Sequence, residues 1–371
     1  EFSLPFYPMA IGEEWRSCTW QNHMVLMNHS KPVSSWGNGY YDYTVTPYPY
    51  SFPPALDICD EARAAGGIVT ATHPYWWEPF THMGDVGVNR NLAFETPIDA
   101  ALGKLDGIQI YMYWQYDEWN RWVWYRLLNC GFRLAPFAGT DALLNRLDAR
   151  RAVMDPLAGR VRSYAYVPDQ AGKLDYDAWI KASKEGRSFV SSGAALFFAV
   201  NGQLPGSEIR LDAPAGKTTV TVSADSRWIG GLERVSFIVN GKTAAERTLS
   251  GSQSTVTLDL ELTESSWIAC RVEGKPFDQF EGDAHSAPVY VTINNALVRS
   301  PEDARYFIGY IDTYIALLDS ANHFANSAQK EYAFKRYREA QEIYRRLADS
   351  GQAKIREYTP ETFELFPASP N

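Results

Sequence analysis

Long apolar runs are missing from this 371-residue chain. No stretch of about 18 apolar residues occurs, which excludes a spanning helix. Lysine is scarce, with 11 among the 35 basic residues, and the net charge is −9. Without a Lys/Arg block, that balance argues against a protein that grips a phosphate backbone. Cysteine is thin: Cys18, Cys59, Cys130 and Cys270 are scattered, and no Cys-x-x-Cys exists. Neither a zinc ribbon nor a redox motif is supported, and buried free thiols are expected. No Gly-x-Ser-x-Gly elbow, Walker A loop or Rossmann glycine pattern is present, which sets aside the usual serine hydrolases and nucleotide binders. The N-terminal residues lack the basic-then-apolar form of an uncleaved signal peptide, although a cleaved one would leave no trace. No internal repeat of 20–50 residues is visible.

What is present is a globular composition. Forty-five percent of residues are hydrophobic and 21% charged, so a sizeable core is available and wholesale disorder is excluded. At roughly 100–200 residues per domain, the length predicts two or three domains. Aromatics reach 14%, with 12 Trp and 22 Tyr. They suit either a large core or a carbohydrate or small-molecule surface.

Residues from Val33 to Pro54 are rich in Trp, Tyr, Pro and Gly and read as a long ordered loop. Beyond Pro54 helix and strand alternate. Helices are expected at Pro54–Ala65, Ile98–Leu105, Asp117–Cys130 and Asp175–Gly186. Strands are expected at 68–72, 107–111 and 133–138. Such repeats argue for parallel strands in an α/β barrel or open sheet. After about Ala199 the helices vanish. Short alternating runs separated by turns such as Asn240-Gly241 predict a β-sandwich, whose last strand is Ala287 to Ile293. Ser300-Pro301 then opens two helices, about 302–323 and 326–350. The expected domains are 1–195, 196–298 and 299–371.

Six histidines are available for chemistry: His23, His29, His73, His82, His285 and His323. His73 and Asp141 each fall just past the carboxyl end of an expected parallel strand, where α/β folds carry reactive groups. An imidazole and a carboxylate there suit a metal pair; a His-Pro turn and an Asp helix cap are the plain alternative. Glu14 lies nine residues before His23, a spacing that is unremarkable by itself. Asn28-His29-Ser30 forms a glycosylation sequon. The Trp/Tyr run from Tyr111 to Tyr125 suits a helix packed on a sheet, or an aromatic binding platform.

Trp124 to Leu134, followed by Ala138-Gly139-Thr140-Asp141-Ala142, resembles the corresponding run of CehA/McbA-type metallohydrolases of the PHP (polymerase and histidinol phosphatase) superfamily. Gly159–Tyr164, Gly186–Gly193, Val200–Gly206 and Val239–Lys242 resemble its further landmarks, so that the likeness covers about 12–295. The resemblance implies an α/β fold, a PHP-like distorted (β/α)7 barrel, with an appended β-sandwich and a C-terminal helical segment. It implies one to three divalent metal ions (Zn, Mn or Fe) held by Glu14, His23, His73 and Asp141. The family's N-terminal His-x-His strand has no counterpart, and Leu143 stands where many members carry a histidine. The barrel is therefore expected to be N-terminally incomplete.

Two functions are in play. The first is a metal-dependent hydrolase in which metal-activated water attacks an ester, carbamate or phosphoester, with Arg16 and Tyr111 contacting the substrate. Its partners are a small-molecule substrate, a separate N-terminal fragment that completes the barrel and a second copy of the chain, with no nucleic acid and no membrane span. The second is a non-catalytic, degenerate PHP scaffold used for binding. The Lys-poor, aromatic-rich composition and the appended β-domain point to a periplasmic or secreted bacterial protein, with the cytoplasm as the alternative.

Overall fold

The computed structural model describes residues 12–16, 22–33, 52–74, 93–112, 117–140, 142, 158–168, 175–214, 216–278, 280–322 and 324–349. Residues 34–51 of the expected aromatic loop, Asp141, Leu143, Cys18, His82 and His323 lie outside them.

The first half is an α/β layer. Its five-stranded sheet runs β1 (Glu13–Arg16), β2 (His23–Met27), β3 (Ile68–Ala71), β4 (Gly107–Tyr111), β5 (Ala135–Ala138), in that spatial order. β1, β2 and β3 pair antiparallel; β3, β4 and β5 are parallel. β3 and β4 are buried at every position, which explains their uninterrupted Ile-Val-Thr-Ala and Gly-Ile-Gln-Ile-Tyr sequences. Gly107 is required by close approach, because a Cβ there would stand 2.4 Å from the Ala135 carbonyl oxygen. Helices α1 (Ala55–Ala64), α2 (Thr96–Ala101) and α3 (Asp117–Asn129) follow the expected alternation. On α3, Val123, Trp124, Leu127 and Leu128 are buried, and the Trp124 indole donates to the Leu134 carbonyl at 2.9 Å. The described aromatics of the Tyr111–Tyr125 run thus join the core, either fully buried or packed against it.

The second half is built from two sheets. One is three-stranded: β13 (Gln253–Leu262), β10 (Thr218–Arg227) and β8 (Ala195–Val200). The other has eight strands. Its main path is β12 (Lys242–Thr248), β11 (Leu232–Val239), β14 (Ser266–Gly274), β15 (Ala284–Ser286), β7 (Ser188–Ser191) and β6 (Arg162–Ala165). β16 (Val289–Ile293) branches from β14 and carries the parallel β9 (Glu208–Leu211). Inward residues of both sheets form one core, in which Phe198 and Phe237 meet at 6.3 Å between ring centroids. Asn240 and Gly241, at φ 48° and 82°, make the two-residue turn between β11 and β12. Positive φ at both central positions matches the twist of the strands, and Asn-Gly tolerates it best.

The expected barrel is not confirmed. Among the described residues the α/β strands form an open sheet, and no closed barrel exists. The physical reason is that both edges of β7 are taken, by β6 on one side and β15 on the other, each antiparallel. The strands that would extend the parallel series therefore belong to the sandwich sheet. Helix α4 (Tyr176–Lys184), capped by Asp175 accepting from the Ala178 N–H, connects them.

Helices α5 (Pro301–Ala321) and α6 (Ser327–Asp349) close the described chain. Ser300 caps α5 by accepting the Asp303 N–H at 3.1 Å, with Pro301 at the first position, as the sequence predicts. The buried faces of both helices share a core with the five-stranded sheet. The Tyr344 hydroxyl donates to the Pro97 carbonyl at 2.7 Å, and Arg126 of α3 meets Asp303 at 2.5 Å. Cys59, Cys130 and Cys270 are free and buried.

Candidate functional site

β3, β4 and β5 run parallel, so their carboxyl ends share one edge of the sheet. β2 runs the other way, which brings its first residue, His23, to that same edge. The Thr72 N–H donates to the His23 carbonyl at 2.7 Å and fixes the register. His73 follows directly. The two imidazoles meet edge to face, with centroids 4.5 Å apart and planes at 77°. Both are buried, at 2% and 1% exposure. On β1, Glu14 stands opposite Val25 and so projects on the same side as His23, two residues away. Its carboxylate, half exposed, bonds the His23 Nε2. Three of the four residues expected as ligands are therefore together. Asp141, the fourth, lies outside the described residues, although β5 leads to it.

His73 has φ 31°, in the left-handed region that a non-glycine residue adopts only where its surroundings hold it. Gln109 supplies such a hold. Its Oε1 accepts the His73 N–H at 3.2 Å, and its Nε2 donates to the Gly139 carbonyl at 3.0 Å. One buried carboxamide thus ties the ends of β3 and β5 together across β4. Asn22 does comparable work on the other imidazole. Its Oδ1 accepts the His23 N–H at 2.8 Å, and its Nδ2 donates to Asp99 at 2.5 Å. Sequence reasoning missed both residues. Gln109 did carry a signal, as the sole strongly polar residue in an otherwise apolar buried strand.

Tyr111, expected to contact substrate, ends β4 and is 1% exposed. The guanidinium of Arg121 lies over its ring, 5.5 Å from the centroid. Arg16 faces His23 in the β1–β2 register; its side chain lies outside the described residues. His285 is far from this edge in role. It bonds the Tyr125 hydroxyl at 2.5 Å and the Ser286 carbonyl at 2.8 Å, pinning α3 to the sandwich sheet. Burial pushes its pKa down to about 3, with Arg121 and Arg271 adding to the effect against the Ser286 hydrogen bond, so the ring is neutral.

Two imidazoles and a carboxylate are donors that Zn, Mn or Fe accept. The chemistry of the set fits a divalent ion. The described arrangement falls short of a complete ligand shell: among the described residues no three His, Cys, Asp or Glu side chains are placed to hold one ion together. Glu14 and His23 are bonded directly to each other.

No family model matches the chain, and no curated protein matches it. Solved structures with detectable likeness include a two-domain protein from Bacteroides vulgatus containing a predicted PHP-like metal-dependent phosphoesterase. It is 11% identical, the match covers 75% of this chain and 73% of that one, and the TM-score is 0.34. A CARDB domain from Pyrococcus furiosus is 11% identical over 28% of this chain and 98% of its own, at TM-score 0.19. A lytic polysaccharide monooxygenase from Jonesia denitrificans is 12% identical over 36% and 77%, at TM-score 0.17. These are distant similarities.

Proposed function

We propose that the chain is a metal-dependent hydrolase of PHP type, akin to the CehA/McbA-type enzymes, acting on a small-molecule ester, carbamate or phosphoester. The observation that carries this reading is the meeting of Glu14, His23 and His73 at the carboxyl edge of β3, β4 and β5, with His73 held at positive φ by Gln109. Glu14, His23, His73 and Asp141 would hold one to three divalent ions. When bound, such ions lower the pKa of a coordinated water toward 7 and polarise the oxygen under attack. The chain's own residues orient the donors: Gln109 fixes the backbone of His73, and Asn22 that of His23. Arg16 and Tyr111 are proposed to contact the substrate. The further partner we propose is a second copy of the chain. The proposed location is the periplasm or outside the cell.

A degenerate binding scaffold is the second reading, and the direct Glu14–His23 bond favours it. Elemental analysis of the desalted chain separates the two. The hydrolase reading expects one or more equivalents of Zn, Mn or Fe, lost in His73→Ala, and turnover in a screen of esters, carbamates and phosphoesters. Metal below about 0.1 equivalent with no uptake on titration, or full metal occupancy in His73→Ala, rejects it.

A further inference from the structure

The junction between the α/β layer and the sandwich holds a cation that the reading above does not use. Arg121 lies in the second turn of α3, the helix that follows β4, so it stands over the same carboxyl edge as His73 and Tyr111. It is 7% exposed. Among the described residues no carboxylate lies within ion-pair distance of its guanidinium, which rests on the Tyr111 ring instead. The nearby acid, Asp283, is already bonded to Arg271 at 3.0 Å, and Arg271 also holds Glu273 at 2.9 Å. Burial pushes the Asp283 carboxyl up, against the pull of Arg271 first and Arg121 last. Arg271 comes from β14 and keeps a buried Nε–H with no partner among the described residues. A buried guanidinium without a contact counter-ion is costly, whereas one that meets an oxyanion makes charge-assisted, fork-shaped bonds.

We propose that Arg121, flanked by Tyr111 and Arg271, forms an oxyanion-binding subsite where α3, β4 and β14 meet, and takes the phosphate or carboxylate group of the substrate. As a substrate subsite it rests on the hydrolase reading, and it narrows that reading to anionic small molecules. Anion binding itself needs no metal, so the two ideas can fail separately.

The test is calorimetric titration of the full chain, stripped of metal with EDTA, with inorganic phosphate in one arm and acetate in the other. Chloride at matched ionic strength is the reference. The expected result is saturable binding in at least one arm, weakened roughly tenfold or more in Arg121→Met and partly kept in Arg121→Lys. Phosphate alone assigns a phosphoester group; acetate alone assigns a carboxylate. In chloride, Arg121→Met should also melt higher than the wild type, because a buried charge has been removed. No saturable binding by the wild type overturns the proposal, as does equal binding by Arg121→Met. A lower melting point or failure to fold in Arg121→Met overturns it too, since Arg121 would then be a structural cation on Tyr111. Loss of the metal reading alone would leave the anion binding in place.

Discussion

Gln109 holds His73 by the backbone rather than by the ring: its carboxamide oxygen takes the His73 N–H at 3.2 Å while its nitrogen grips Gly139 at 3.0 Å. The same contact keeps the imidazole beside His23 and fixes the strand end that leads to Asp141. On the hydrolase reading Gln109→Leu should therefore weaken metal binding about tenfold or more, and it should lower stability by about 1–3 kcal/mol, because the buried His73 N–H and the half-buried Gly139 carbonyl lose their partner. Gln109→Glu keeps the acceptor for His73 and should recover part of the metal affinity. Metal titration beside urea unfolding checks both; unchanged metal affinity in Gln109→Leu would refute the positioning role.

Glu95 makes stability depend on pH. It is fully buried and accepts hydroxyls from Tyr314 of α5 and Tyr337 of α6, and the Ala55 N–H at 2.7 Å. Burial pushes its pKa from the ordinary 4.5 up to about 7, against the hydrogen bonds of Tyr337, Ala55 and Tyr314. Asp99, one turn further on, is raised by burial and then by Glu95 itself. The folded chain keeps this proton longer than the unfolded chain. Stability is thus fully present below about pH 4.5, falls as pH rises toward 7, and levels off above. The loss from Glu95 is on the order of 3 kcal/mol. Glu95→Gln should flatten the curve over that window, whatever its offset. Urea midpoints measured every half unit between pH 4.5 and 8 decide it; parallel curves would sink the assignment.

Arg126 and Asp303 tie α3 to α5 at 2.5 Å, with the guanidinium between Trp122 and Tyr306 at 4.4 and 4.6 Å from the ring centroids. Both residues are 8% exposed. Asp303→Ala takes the carboxylate from a buried guanidinium and should cost about 3–5 kcal/mol. The Lys217–Glu261 pair is a control. Its side chains are 61% and 59% exposed, and Glu261→Ala should change stability by less than about 1 kcal/mol. Equal effects in chemical denaturation would mean that burial does not set the difference.

Much of the framework was legible because it is local. The buried Ile-Val-Thr-Ala run, the Ser-Pro helix start at Ser300 and the Asn240-Gly241 turn each carry their own signal, and each falls where expected. His73 also falls just past the end of β3, as the strand pattern predicts. Glu14 and His23 were readable only through a family resemblance, since nine residues of spacing do not reveal that two antiparallel strands lay one beside the other. Arg121 and Gln109 gave little warning, because their roles depend on which strands neighbour β4. The open edge of the described sheet was hidden for the same reason. β6 and β7 have ordinary strand sequences, and nothing within them announces that β15, almost a hundred residues later, claims the free edge.

That claim decides where the chain can be cut. An excision after residue 195 would leave β7 in one fragment and β15 in the other. The first fragment would carry a bare Ser-Phe-Val-Ser edge open to pairing with any strand it met. The second would expose the far side of β15 in the same way. The polypeptide is thus sewn across its apparent seam, and pieces intended to isolate the α/β half would need to carry the sandwich with them.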